Sequence, residues 1–174
     1  MAELMKLNKR LGQAAATAQV EQRGQYLAFS LGGETFAMDI RSIKEVIQFA
    51  TLTEVPLMPA FIRGVINLRG AVVPVIDLSI RFGRSLTEVT RRTCIVILEV
   101  GTGEDVSVLG VMVDNVSEVL DIGGHDIEPA PAFGSSLRSE FIAGVGKVNG
   151  KFVILLDVNR VLSVEEMAAL TANH

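Results

Sequence analysis

From Tyr26 the chain alternates apolar and less apolar positions: Leu27, Phe29 and Leu31 fall on one side, Tyr26, Ala28 and Ser30 on the other. That period of two predicts a half-buried strand, and Gly32-Gly33 followed by a second run through Phe36 and Met38 predicts a two-residue hairpin. After Asp39, a candidate N-cap, Ile40, Ile43 and Ile47 are spaced for one face of a helical turn, while Glu45-Val-Ile-Gln-Phe fits a strand equally well. Pro56 and Pro59 break the chain before a strand-turn-strand over residues 64–77, and Asp77 caps a short turn that ends at Gly83. The segment RSLTEVTRR is a connector. Beyond it come strands over Thr93–Val100 and Val106–Val113, a Pro-rich loop EPAP and a hairpin at Asn149-Gly150, the strongest turn signal in the chain. Ser163-Val-Glu-Glu166 is a capping box with a Leu162/Met167 staple, which predicts a C-terminal helix over residues 164–174. Residues 1–24 carry no sustained apolar stripe and are expected as a flexible tail, either a fraying helix or a disordered lead-in.

The pattern repeats. FIRGVINLRGAVVPVIDL from Phe61 returns 80 positions later as FIAGVGKVNGKFVILLDV from Phe141, and Phe36–Ile47 returns at a shift of 73 as Leu109–Leu120. The second copy gains seven residues, near Phe133–Ser139. A repeat of about 60 residues buries too little surface to be stable alone, so two halves, about 26–86 and 92–164, are expected to pack as one body. Many short strands and few helices predict an all-β architecture of two small barrels.

Composition narrows the function more than the fold. The chain is 49% hydrophobic with a mean hydropathy of +0.41, yet its aliphatic runs are far shorter than the ~20 residues that span a bilayer. No apolar core follows Lys6, Lys9 and Arg10, so neither a secretory signal nor membrane insertion is expected, and the natural compartment is the cytoplasm. The single Cys94 lies in the apolar run CIVIL, as an inert buried thiol would. A net charge of −4 and nine aromatics argue against a nucleic-acid surface, so an oligonucleotide-binding barrel is the weaker reading. Two histidines, His125 and His174, assemble no metal cluster, and no cofactor is expected.

A duplicated scaffold repeats what the fold needs, which directs attention to residues found in one copy alone. Arg69 stands at a hairpin tip where the copy has Asn149, and Arg is the poorer choice if the backbone there is left-handed. The bland alternative is a three-residue turn in which only Gly70 has positive φ. An exposed Arg of this kind needs an acidic partner, and Glu45 is a candidate, although its copy Glu118 argues for a scaffold role. Asp77 and Asp157 are also paired by the repeat and invite comparison with a pseudo-symmetric hydrolase dyad. Their contexts, Asp77-Leu-Ser and Asp157-Val-Asn, fit helix caps instead. Pro74, inside a strand pattern, belongs on a sheet edge.

At residues 59–78, PAFIRGVINLRGAVVPVIDL, the chain resembles the CheW family of chemotaxis coupling proteins, with Asn67-Leu-Arg-Gly70 its most telling signature. Glu45-Val-Ile, the segment from Val113 to Val119, Pro129-Ala-Pro and Ile154-Leu-Leu-Asp fall in the same order, so the resemblance covers about residues 25–165. It implies two five-stranded SH3-like barrels, no catalysis, and a bacterial cytoplasmic adaptor recruited to membrane-associated receptor arrays. Its partners would be chemoreceptor (methyl-accepting chemotaxis protein) signalling tips and the regulatory domain of the histidine kinase CheA. Carried over by position, Arg69 and Glu45 would pair, with Ile43, Arg63 and Gly64 nearby on the receptor- or kinase-binding surface.

Overall fold

The computed structural model describes residues 2–21, 24–101, 104, 106–129 and 141–162, with backbone alone for 13–21. The predicted C-terminal helix and its staple, and the seven-residue gain of the second copy, lie outside these residues. The order is α1 (Ala2–Glu21), β1 (Gly24–Leu31), β2 (Glu34–Asp39), β3 (Ile43–Gln48), β4 (Ile62–Leu68), β5 (Ala71–Asp77) and α2 (Leu78–Arg81). The second half supplies β6 (Cys94–Val100), β7 (Ser107–Val113), β8 (Asn115–Ile122), β9 (Ile127–Glu128), β10 (Ile142–Val148), β11 (Lys151–Leu156) and α3 (Val158–Val161). The ambiguous stretch after Asp39 resolves as both alternatives in succession. A 3-10 turn over Ile40–Ser42, capped by the Asp39 carboxylate on the Arg41 amide, runs directly into β3. Of the two forms expected of the N-terminal segment the helix is the one present, and it is seated on the body with Leu11 buried in the core.

The two sheets do not follow the two halves. One has the order β8-β1-β2-β11-β10-β9, the other β3-β6-β7-β5-β4. Each half therefore gives its first hairpin, β1-β2 or β6-β7, to the sheet built from the rest of the other half. Each exchanged hairpin is joined on one side by an antiparallel pairing, β1 with β8 or β6 with β3, and on the other by a parallel one, Phe36–Met38 with Ile154–Leu156 or Val75–Asp77 with Gly110–Met112. The all-β class holds, and each sheet is assembled from strands of both halves. The larger sheet has six strands, the sixth being two-residue β9, and in the other sheet an isolated bridge from Thr53 to Val65 takes the equivalent place. Pro74 likewise departs from expectation. It lies in β5, flanked by β4 and β7, and is tolerated because the pairing with β7 begins one residue later at Val75.

Burial explains why β6 reads as a continuous apolar run rather than an alternation. Cys94, Val96, Leu98 and Val100 face the large core between the sheets, which also holds Leu27, Phe29, Leu31, Phe36 and Phe141. Ile95 and Ile97 point the other way, into a second core with Ile66, Val73, Val75 and Met112. A strand buried on both faces needs no polar positions. The counterpart core of the six-stranded sheet is Ala37, Ile122, Val153 and Leu155. Burial also pushes the Cys94 thiol pKa up, which fits an inert side chain.

The halves meet at Arg81. Its guanidinium lies over the rings of Phe61 and Phe141, 5.6 and 4.9 Å from their centroids, and its Nε donates to the Val161 carbonyl at 2.9 Å. Phe61 and Phe141 are repeat partners, as are Arg81 and Val161, so this arginine sits close to the pseudo-two-fold relation and ties one half to the other. Arg81→Ala should lower unfolding free energy by about 2 kcal/mol, through one lost hydrogen bond and two lost cation–π contacts. Urea denaturation followed by CD and by intrinsic fluorescence checks this. Both probes should give one coincident transition, because neither sheet is complete without the other half.

Candidate functional site

The β4–β5 hairpin turns through Arg69 and Gly70 with φ of 52° and 87°, and its copy turns through Asn149 and Gly150 with 52° and 79°. Both are two-residue turns with left-handed backbone at each central position, so the alternative in which only Gly70 has positive φ is ruled out. Asn67 supports the turn by accepting the Gly70 amide at 2.9 Å. Asn tolerates this backbone; Arg does so at a cost. Arg69 carries that cost while its side chain is 73% exposed, and it reaches Glu45 on β3 in a bidentate pair, Nη1 to Oε1 at 2.5 Å and Nη2 to Oε2 at 3.0 Å. Because β3 and β4 are the two end strands of their sheet, the pair links opposite ends of a sheet that curls round the Ile66–Met112 core. The Arg69 hydrogen bond is the main force holding the Glu45 carboxyl below the usual carboxylate range; the partial burial of Glu45 opposes it. The result is a guanidinium in solvent, fixed in direction by a half-buried carboxylate.

The other expected site residues divide. Ile43 opens β3, half-buried against the main core, two residues from Glu45. Arg63 turns toward the body of the fold. It is the extra residue of a β-bulge, since Ile62 pairs with Ile76 and Gly64 with Val75, and the bulge aims its side chain at Asp77, Nη1 to Oδ2 at 2.7 Å. Asp77 is wholly buried; its Oδ1 accepts from the Ser79 amide and the Thr87 hydroxyl, and its Oδ2 from the Thr87 amide and Arg63. It thus fastens the connector to the hairpin and caps α2, with no oxygen left for acid–base work. Asp157 caps α3 and pairs with Arg160 at 3.5 Å, so the two aspartates form no dyad. Gly64 stands where another segment passes close by. A Cβ there would lie 2.6 Å from the Thr53 carbonyl oxygen, and its copy Gly144 is crowded in the same way by Ile127 and Glu128.

Sequence reasoning missed an apolar knob. Leu57 has φ of 63° and is 85% exposed, flanked by exposed Val55 and Met58. The signal was present in Pro56-Leu57, because a turn with proline at its second position favours Gly or Asn at the third. Val72, beside the Arg69 tip, and its repeat partner Phe152 are exposed as well. Among the described residues no group of three or more His, Cys, Asp or Glu is placed to hold a metal ion.

The CheW-like domain family matches residues 25–166. Chemotaxis protein CheW of Klebsiella aerogenes is 37% identical over 144 residues, 83% of this chain and 84% of the relative. Chemotaxis protein CheW of Rhizobium meliloti is 34% identical over 145 residues, 83% of this chain and 91% of the relative. The crystal structure of the scaffolding protein TtCheW from Thermoanaerobacter tengcongensis superposes with a TM-score of 0.72 at 33% identity, covering 80% of this chain and 87% of that one.

Two outcomes follow from the geometry. Asp77→Asn keeps the α2 cap but leaves Arg63 without its charge partner and the Thr87 amide without its acceptor, and should lower unfolding free energy by about 3 kcal/mol in denaturant titrations. Arg69→Asn places the copy's residue at the tip and should leave the thermal midpoint within a few degrees of wild type. It should also return the Glu45 carboxyl toward its ordinary range, as followed by side-chain NMR against pH. The sign is fixed by the folded carboxyl lying below its unfolded value. The pair adds stability above the ordinary carboxylate range and loses it as pH falls through the folded-state value.

Proposed function

We propose, from the premise that this chain belongs to the CheW-like domain family, that it couples the cytoplasmic tips of chemoreceptors to the regulatory domain of the histidine kinase CheA. It is a chemotaxis adaptor and not an enzyme. The identity of the two partners is the finer step, and the observation that carries it is the Arg69 tip. A strained backbone, an exposed guanidinium and a carboxylate that fixes its direction make a preorganised contact, with little side-chain freedom left to lose when a partner docks. Exposed Val72 beside it supplies the apolar half of a surface in which a few placed charges border a nonpolar patch. In this reading Arg69, Glu45 and Ile43 form the coupling surface, and Arg63 and Gly64 hold its hairpin in shape. No helix among the described residues is long and apolar enough to cross a membrane. Placement at receptor arrays, on the cytoplasmic side, would then come from binding.

Arg69→Glu sets two carboxylates against each other at the tip. Titrated separately with a receptor signalling fragment and with the CheA regulatory domain, this variant should bind at least one of them tenfold or more weakly, about 1.4 kcal/mol, with the CD spectrum unchanged. The reversed pair, Glu45→Arg with Arg69→Glu, should regain part of the loss if the tip's direction matters, and none if the positive charge itself is read. Undiminished binding of Arg69→Glu to both partners would refute the assignment.

A further inference from the structure

The β4–β5 and β10–β11 hairpins end on the same frame. The Phe61 and Phe141 carbonyls accept the amides of Asp77 and Asp157 at 2.7 and 2.9 Å, and each aspartate caps the short helix that follows. Arg63 and Ala143 are the extra residues of matching β-bulges, one between Ile62 and Gly64 and the other between Ile142 and Gly144. In the first half Arg63 spans the bulge to Asp77, Nη1 to Oδ2 at 2.7 Å. In the second half the bulge carries only a methyl group, and a cavity of about 430 Å³ is lined by both Ala143 and Asp157. We infer that this cavity binds a guanidinium on an aliphatic stem, the arginine side chain of a polypeptide, which takes at Asp157 the place that Arg63 takes at Asp77.

Three observations carry this. The carboxylate of Asp157 is less well served than its copy. Asp77 is wholly buried and accepts from the Ser79 amide, the Thr87 amide and hydroxyl, and Arg63. Among the described residues Asp157 accepts the Arg160 amide at 3.3 Å and stands 3.5 Å from the Arg160 Nε, with 35% of its side chain exposed. Arg160 reaches it from α3 and is not among the residues lining the cavity. The sequence, secondly, offers no replacement of its own. The connector that brings Thr87 to Asp77 follows α2, whereas the corresponding stretch after α3, residues 163–174, contains neither Arg nor Lys. Thirdly, the charges lining the cavity select a monocation. Asp39 is matched by Arg41, whose Nε and Nη2 lie 3.1 and 2.6 Å from its two oxygens. Asp157 is then the lining carboxylate that no lining cation matches.

The cavity thus specifies its occupant. A planar fork of donors matches the two oxygens of Asp157, and an apolar stem fits beside Ala143, Leu156 and Val158, which line the same space. An ammonium of equal length brings the charge without the fork. Free arginine brings the fork together with a carboxylate of its own, which meets Asp39 and Asp157; an arginine within a polypeptide has no such carboxylate. The site is built on strands of the six-stranded sheet and on α3, whereas the Arg69 tip belongs to the other sheet.

The test titrates butylguanidinium, butylammonium, free L-arginine and a capped Ala-Arg-Ala tripeptide into the full chain, followed by NMR at the Ala143 methyl and the Asp157 amide. Butylguanidinium and the tripeptide should saturate at about millimolar, the range of one charge-assisted bidentate contact. Butylammonium and L-arginine should each bind severalfold more weakly. Asp157→Asn keeps an oxygen for the α3 cap and should weaken tripeptide binding tenfold or more. Ala143→Arg supplies in cis the group that the first half already has, and should abolish saturable binding. No saturable shift at Ala143 and Asp157, equal affinity in Asp157→Asn, undiminished binding by Ala143→Arg, or butylammonium as tight as butylguanidinium would each overturn the site. L-arginine tighter than the tripeptide would overturn the polypeptide source. The probe comparisons need only the wild-type chain, so they decide even if a variant folds poorly. No receptor or kinase enters the assay, so its outcome is separate from that of the coupling function.

Discussion

The exchange of hairpins between the two halves is the constraint from which the other features descend. Because β1-β2 completes the sheet of the second half and β6-β7 that of the first, the broad faces of both sheets are pressed together and the largest core lies between them. Exchange also forces two parallel junctions into an otherwise antiparallel protein. Parallel pairing is slightly weaker per residue and lacks a tight turn to set its register. Arg81, stacked on Phe61 and Phe141 and bonded to its own repeat partner, supplies a direct tie where the halves meet.

Much of this was legible because the repeat is written in the chain. Hairpins at Gly32-Gly33 and Asn149-Gly150 and the caps at Asp39, Asp77 and Asp157 depend on local backbone chemistry that sequence states directly. The partition of strands between sheets was not legible. Alternation says which side of a strand is buried and nothing about whose strand lies beside it, so two halves exchanging hairpins carry the same pattern as two that do not. Pro74 misled for that reason: a missing amide is compatible with an interior strand wherever the neighbouring ladder has not yet begun.

The comparison of copies picked out residues but not their roles. Arg63 and Arg69 both lack a basic counterpart, Ala143 and Asn149 standing in their places. One is turned inward by a bulge to neutralise a wholly buried carboxylate, and the other stands in solvent on left-handed backbone. A one-copy arginine therefore marks a local departure from the shared scaffold. The two departures differ in exposure, Arg63 turned onto a buried carboxylate and Arg69 left in solvent. Glu45 shows the converse: although its repeat partner Glu118 is also acidic, only Glu45 has an arginine tip within reach, so one duplicated acid gained a distinct use without any change in identity.

Edges complete the account. An open sheet edge is an array of unpaired amides and carbonyls, and a protein covers it, charges it or uses it. Here two of the four ends are closed from within, by Thr53 on β4 and by β9 on β10. At β3 one amide side chain from α1 does the work of a neighbouring strand at a single residue. Beside that bracket Leu4, Leu7 and Leu11 of α1 pack on the main core, and the adjoining cleft is lined by Glu3 as well as by Lys6, Arg10, Arg91 and Arg92. β3 also carries Glu45, so whatever seats on β3 bears on the strand that directs the Arg69 tip.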